Sequence, residues 1–183
     1  MASLVEDKLK VGLIGTGKIA PAYVRGIRQF PDIVELVACS DINLERAKSF
    51  ANDHNLIAMS NDELLASSSV DIVVNLTIPA VHAEVSLSAI EAGKHVHTEK
   101  PLATTREDGE KIMAAAKAKG VRIGCAPDTF LGGGIQTSRK LLDDGVIGQP
   151  VAAAAFFAGH GPEAWHPNPA FFYQFGGGPM FDL

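Results

Sequence analysis

Cysteine is scarce in these 183 residues, with only Cys39 and Cys125, and each lies inside an apolar stretch. Two such thiols exclude a disulfide scaffold and fit a reducing compartment. The sequence also has no apolar run long enough to span a bilayer. Its first residues, Met1 to Asp7, have no basic leader with an apolar core behind it, so the expected location is cytoplasmic, with no membrane partner. A basic run is missing too. Sixteen Lys and Arg against 21 Asp and Glu give a formal charge of −5. Nucleic acid is therefore excluded as an expected partner. No internal repeat or low-complexity tract is evident.

Short β-branched runs alternating with helical patterns fill the first two thirds of the chain, which is the signature of a parallel sheet covered by crossover helices. Strands are expected at Lys10 to Ile14, Val34 to Cys39, Leu56 to Met59, Val70 to Leu76, His95 to Thr98 and Val121 to Cys125. Pro21 suits a first helical turn, and Pro31 lies beyond that helix. Val81, Val85 and Ala89 recur at helical spacing before Gly93. Thr104 and Glu107 make a capping box, with Lys117, Lys119 and Gly120 closing the same helix. The fold class expected is α/β, a Rossmann doubly wound parallel sheet over residues 1–125. After Ala126 the rhythm changes. A helix from about Ile135 to Asp143 precedes the alanine-rich Val151 to Ala158, read as the opening strand of a second sheet. From Gly159 to Pro179 the pattern is that of a long loop.

Gly15-Thr16-Gly17-Lys18-Ile19-Ala20 follows the first strand. Phosphate binding needs backbone N–H groups aimed at oxygens with no side chain in the way, and a helix N-terminus supplies donors and a positive field. Gly15 permits the tight turn, Gly17 lets a pyrophosphate approach, and Ala20 keeps the helix close to the strand. Alone, the string could mark only a strand-to-helix turn. The buried-strand pattern before it, and Asp41 ending the second strand about 20 residues on, favour a dinucleotide site. Asp41 is expected to accept hydrogen bonds from the adenosine ribose and to repel a 2′-phosphate, which favours NAD over NADP. Its competing role is to cap the helix carrying Leu44, Ala47 and Ala51. Helical spacing points Arg46 toward solvent.

Ligands of a doubly wound sheet collect beyond the carboxyl ends of its strands, where Thr77-Ile78-Pro79 and Glu99-Lys100-Pro101 end the fourth and fifth. The glycine loop, Thr77-Ile78-Pro79 with His82, and Ala92-Gly93-Lys94-His95-Val96 running into Glu99-Lys100-Pro101 together resemble the Gfo/Idh/MocA oxidoreductases. Gly145 to Pro150 and Gly176 to Asp182 look like that family's later landmarks. The resemblance implies hydride transfer between NAD and a sugar, cyclitol or related polyol. Lys100 would be the catalytic ammonium at the reacting oxygen, with Asp182 orienting. It also implies that Thr77, Pro79, His82, Glu99 and Lys100 line the nicotinamide half of the cofactor site, with Gly15, Thr16, Gly17, Lys18, Ile19 and Asp41 at the other half. A lysine there is chemically apt, as a proton shuttle or as a cation polarising a carbonyl.

Many relatives have a histidine four residues after the aspartate, and here Leu183 is the last residue. The resemblance therefore implies a truncated member, with residues 126–183 the beginning of an incomplete α+β substrate domain and homo-oligomers expected of a full-length form. The competing function is a dinucleotide-binding module without turnover. His95 and His97 share one face of a strand and are expected to pack rather than bind metal. His160, His166 and Trp165 are candidates for the substrate mouth. Ala126-Pro127-Asp128-Thr129-Phe130 departs from the basic or polar segment of many relatives and leaves the substrate open.

Overall fold

The alternating runs pair into one six-stranded, all-parallel sheet. The computed structural model describes residues 8–156, 158–164, 166, 169–175, 177 and 178. Its strands are β1 (Leu9–Ile14), β2 (Val34–Ser40), β3 (Ile57–Met59), β4 (Ile72–Asn75), β5 (His95–Thr98) and β6 (Ile123–Cys125). They lie in the order β3-β2-β1-β4-β5-β6. The order reverses between β1 and β4, the switch point where a doubly wound sheet opens a crevice at its carboxyl edge.

The helices are α1 (Ala20–Ile27), α2 (Leu44–His54), α3 (Asn61–Ala66), α4 (His82–Glu91), α5 (Arg106–Lys119) and α6 (Gly133–Asp143). Neighbouring strand residues go to opposite faces, so the sheet builds two cores. Ile14, Ala38, Val73 and Val96 meet Leu64 of α3, Ala89 and Ile90 of α4, and Ile112 and Ala116 of α5. Leu13, Cys39 and Val74 meet Ala20 and Val24 of α1 and Phe50 and Ala51 of α2. Strands buried on both faces explain the near-continuous apolar runs.

Three local features differ from the sequence pattern. The short helix α3 was not among the expected elements, yet it starts on a full capping box. Ser60 accepts from the Glu63 amide, and Glu63 returns a carboxylate to the Ser60 amide. The cap of α5 sits one residue later than expected and is not a reciprocal box: Thr105 is the N-cap, accepting from the Asp108 amide at 3.1 Å while its hydroxyl donates to the Asp108 carboxylate at 2.8 Å. Residues 151–156 and 158 form no strand. A strand exists only through its pairing, and no described segment pairs with this one.

Helix α6 carries no buried residue. Its Ile135, Leu141 and Leu142 are exposed. The stretch expected as a long loop holds two short 3₁₀ turns, Pro162–Ala164 and Pro169–Tyr173. No described helix is long and apolar enough to cross a membrane.

Candidate dinucleotide site

The sheet ladder runs past the strand ends and fixes where the candidate residues lie. Gly15 N–H donates to Ser40 O at 2.9 Å, Leu76 N–H to Ile14 O at 2.8 Å, and Glu99 N–H to Asn75 O at 2.9 Å. The glycine loop, Asp41, Thr77 and Glu99-Lys100 therefore line one edge of the sheet, around its switch point.

Gly15 is required by geometry. Its φ is +101°, and a Cβ there would stand 2.7 Å from Leu76 O. Side-chain residues rarely adopt that φ, and backbone cannot yield to such a contact. Gly17 is different, because a Cβ there meets nothing within 4 Å. The bareness of Gly17 serves no packing need of the chain itself. It leaves open the approach to the start of α1, whose N-cap residue, Ile19, makes no side-chain cap hydrogen bond. Lys18 and Ile19 are exposed beside it. A glycine the fold does not need, before a helix end without a side-chain cap, fits a pyrophosphate.

Asp41 is held from several directions. Its Oδ2 accepts the Thr16 amide and hydroxyl, both at 2.9 Å, and Oδ1 accepts the Asn43 amide at 2.9 Å. Arg46 adds a bidentate pair, Nε to Oδ2 at 3.0 Å and Nη2 to Oδ1 at 2.6 Å. Arg46 thus folds back onto Asp41 instead of facing solvent alone, because a guanidinium fork matches a carboxylate. Burial pushes the Asp41 carboxyl up, but the bonds from Arg46, Thr16 and Asn43 outweigh it and hold the group below the usual carboxylate range. The cap of α2 is Asn43, which accepts the Arg46 amide at 3.1 Å, and not Asp41.

The β4 and β5 ends are tied together through buried polar groups. Asn75 is fully buried; its amide donates to His82 O at 3.0 Å and Ser86 Oγ at 3.1 Å. Its Oδ1 accepts the Thr77 amide at 3.2 Å and hydroxyl at 2.6 Å. The His82 ring, 1 % exposed, reaches Pro101 O at 2.7 Å through Nδ1 and Thr77 O at 3.0 Å through Nε2. His82 is therefore a clasp behind the crevice rather than part of its wall. Pro79 opens the 3₁₀ turn that leads into α4. The Lys100–Pro101 peptide is cis.

Glu99 turns toward α1. Its Oε1 accepts the Tyr23 hydroxyl at 2.8 Å, and Oε2 accepts the Lys100 amide at 3.0 Å. Lys100 is half-buried. His95 Nδ1 accepts the Arg122 amide at 2.9 Å, a structural role. The His97 ring lies 6.2 Å from that of Tyr23. Asp182, Trp165 and Gly176 lie outside the described residues. Among the described residues, no group of three His, Cys, Asp or Glu could hold a metal ion.

Sequence reasoning missed Tyr23, Asn75 and Ser86. The available signals were a polar residue ending an apolar strand, for Asn75, and a tyrosine one turn inside the cradle helix.

A parallel sheet of this order, with a glycine turn after β1 and an acidic residue after β2, defines a dinucleotide-binding Rossmann domain. The chain belongs to the Gfo/Idh/MocA oxidoreductase family, whose NAD-binding Rossmann model matches residues 9–126. It is 38 % identical over 149 residues to inositol 2-dehydrogenase 3 of Saccharopolyspora erythraea, covering 79 % of this chain and 44 % of that protein. It is 34 % identical over 178 residues to 1,5-anhydro-D-fructose reductase of Ensifer adhaerens, covering 94 % and 52 %. Among solved structures, the WlbA dehydrogenase of Bordetella pertussis in complex with NADH and UDP-GlcNAcA superposes with a TM-score of 0.72 at 29 % identity, covering 75 % of this chain and 42 % of that one. The chain spans about half the length of the curated relatives it matches.

Proposed function

We propose that this chain carries the cofactor half of an NAD-dependent oxidoreductase that moves a hydride between nicotinamide and a sugar, cyclitol or related polyol. The observation that carries the reading is the placement of Gly17, open and unneeded by the fold, and of Lys100 at the carboxyl ends of β1 and β5, on either side of β4. The relatives named above support the substrate class, since one acts on inositol and another on an anhydrofructose.

Gly15, Thr16, Gly17, Lys18 and Ile19 would hold the pyrophosphate, with Asp41 at the ribose and Thr77, Pro79 and Glu99 bordering the nicotinamide half. His82 supports that half from behind. The bound nicotinamide supplies the hydride or takes it up. Lys100 would grip the reacting oxygen, taking the hydroxyl proton in oxidation and stabilising negative charge on oxygen in reduction. Asp182 is assigned to orient the same group. In this reading residues 1–125 form the cofactor domain, and residues 126–183 open a substrate domain. The setting is cytoplasmic, and the full-length form is a homo-oligomer.

The test has two stages. NADH fluorescence is titrated with the chain, and no change overturns the cradle. Polyols are then screened with NAD using a form extended to its relatives' length. Lys100→Met is expected to lower turnover by about 10²–10⁴-fold while NADH binding persists. Unchanged turnover overturns the role of Lys100.

A further inference from the structure

Both ring nitrogens of His82 face carbonyl oxygens, Nδ1 at 2.7 Å from Pro101 O and Nε2 at 3.0 Å from Thr77 O. A carbonyl oxygen only accepts, whereas a neutral imidazole has one N–H and one bare lone pair. Either neutral tautomer would therefore press a lone pair against an oxygen at hydrogen-bond distance. The residue is 1 % exposed, so bulk water cannot relieve that contact. Only the imidazolium donates to both partners. His95 is the contrast within the same chain: its Nδ1 accepts the Arg122 amide at 2.9 Å, so that nitrogen carries no proton.

A buried cation is costly unless it is hydrogen-bonded, and here both N–H groups would be, in bonds strengthened by the charge. The field at the start of α4 opposes a cation. The 3₁₀ turn before it offsets part of that field, since Pro79 O already accepts the His82 amide. Charged side chains on the surrounding elements are Glu84 of α4, Glu99 and Lys100 of the β5 turn, and Arg106, Glu107 and Asp108 at the start of α5. Glu99 is engaged with Tyr23 and the Lys100 amide, Arg106 with Glu110, and Asp108 with Lys111. The ring is thus held by main-chain oxygens and not by a carboxylate.

We propose that His82 is a positioning residue for the nicotinamide half of the site, held as a buried imidazolium that donates to Pro101 O and Thr77 O at once and so braces the lysine turn against the β4 turn. Pro101 directly follows Lys100, so the bond from Nδ1 restricts where the ammonium can stand. Thr77 is fixed from its other side by Asn75, which takes both its amide and its hydroxyl. The brace therefore pulls on a rigid anchor. Loss of either ring proton breaks one of the two bonds and frees one turn. This deepens the dinucleotide reading of the crevice and rests on it.

The experiment has a spectroscopic arm and a binding arm. Nitrogen NMR of the histidine rings at pH 7.5 is expected to show His82 with protons on both nitrogens, beside His95 with one bare nitrogen. Substituting each of the other histidines in turn assigns the His82 signal without altering His82 itself. A bare nitrogen on His82 overturns the proposal. In the binding arm, the chain and His82→Gln are titrated with NADH, by fluorescence, and with ADP-ribose, which lacks the nicotinamide, by calorimetry. The substitution should weaken NADH by about tenfold, the scale of one lost charge-assisted bond, and leave ADP-ribose unchanged. Equal weakening of both ligands, or of neither, overturns the positioning role. Should His82→Gln fail to fold, the ring spectrum of the unaltered chain still decides. Failure of the unaltered chain to bind either ligand overturns the dinucleotide reading, and the positioning role with it, whatever the ring spectrum shows.

Discussion

The Tyr23 hydroxyl donates to Glu99 Oε1 at 2.8 Å while Glu99 Oε2 accepts the Lys100 amide at 3.0 Å, so α1 is joined to the lysine turn through one carboxylate. The two ends of the candidate site, 76 residues apart in sequence, are thereby coupled. Tyr23→Phe keeps the ring and removes the bond. It is expected to cost about 1–2 kcal/mol, the worth of a hydrogen bond to a charged group with allowance for partial exposure. Urea unfolding at neutral pH measures this. Burial, then Glu99, pushes the Tyr23 hydroxyl above its ordinary value. Its contribution is complete below about pH 10 and is lost as pH rises through the folded value. Tyr23→Phe should therefore lack part of the alkaline destabilisation of the unaltered chain.

The two cradle glycines separate fold from function. Gly15→Ala places a Cβ 2.7 Å from Leu76 O at a φ of +101°. Its cost should exceed the roughly 1–2 kcal/mol of left-handed strain alone, seen as a lower thermal midpoint. At Gly17 a Cβ meets nothing within 4 Å. Gly17→Ala should stay within about 0.5 kcal/mol of the unaltered chain in stability and yet bind NADH more weakly. Equal loss of stability in both variants would contradict the assignment of Gly17 to the ligand.

Most of this fold was legible because both periodicities were strong. All six strands were visible as short β-branched runs, and β5 agrees to the residue. The glycine turn, Asp41 and the lysine turn then followed from their places at strand ends. What was not legible depended on partners remote in sequence. Tyr23 and Glu99 meet only because α1 packs beside the β5 end of the sheet. Arg46 was placed toward solvent because helical spacing sets the direction of Cβ, while the reach of a long side chain back to Asp41 is a tertiary outcome. The α5 cap was misplaced by one residue because Thr104-Thr105 and Glu107-Asp108 offer two registers of the same motif. Residues 151–156 are alanine-rich and apolar enough for a strand, but pairing is not a local property.

Acid should weaken the chain through His97. Burial lowers the affinity of this ring for a proton, against the opposing pull of Glu99 and Asp128. A folded value below the ordinary one means that the neutral ring's contribution is complete above about pH 6.5. It is lost as pH falls through the lowered folded value. Urea midpoints at pH 7.5 and 5.5 should therefore differ for the unaltered chain, and His97→Asn should reduce that difference. An unchanged difference would move the origin of the acid limb elsewhere, with Asp41 the next candidate at lower pH.

The buried amide of Asn75 gives the sharpest contrast between a substitution that deletes the group and one that keeps its size. Its Nδ2 serves two acceptors, His82 O and Ser86 Oγ, and its Oδ1 serves the two donors of Thr77. Asn75→Ala removes all four bonds and leaves buried polar groups without partners, each costing about 1–3 kcal/mol. Asn75→Asp keeps the oxygen that Thr77 needs but replaces the donor nitrogen with a second acceptor facing His82 O. At neutral pH that carboxylate is buried against a carbonyl, so its folded pKa must rise above the unfolded value. The penalty then relaxes as pH falls through the raised folded value, since the protonated acid regains one donor. The expected outcome is that Asn75→Asp is less stable than the unaltered chain at pH 7 and that the gap narrows at pH 5, while the corresponding gap for Asn75→Ala stays constant. Parallel gaps for the two variants would mean that the amide fills space there without holding Thr77 and His82 in register.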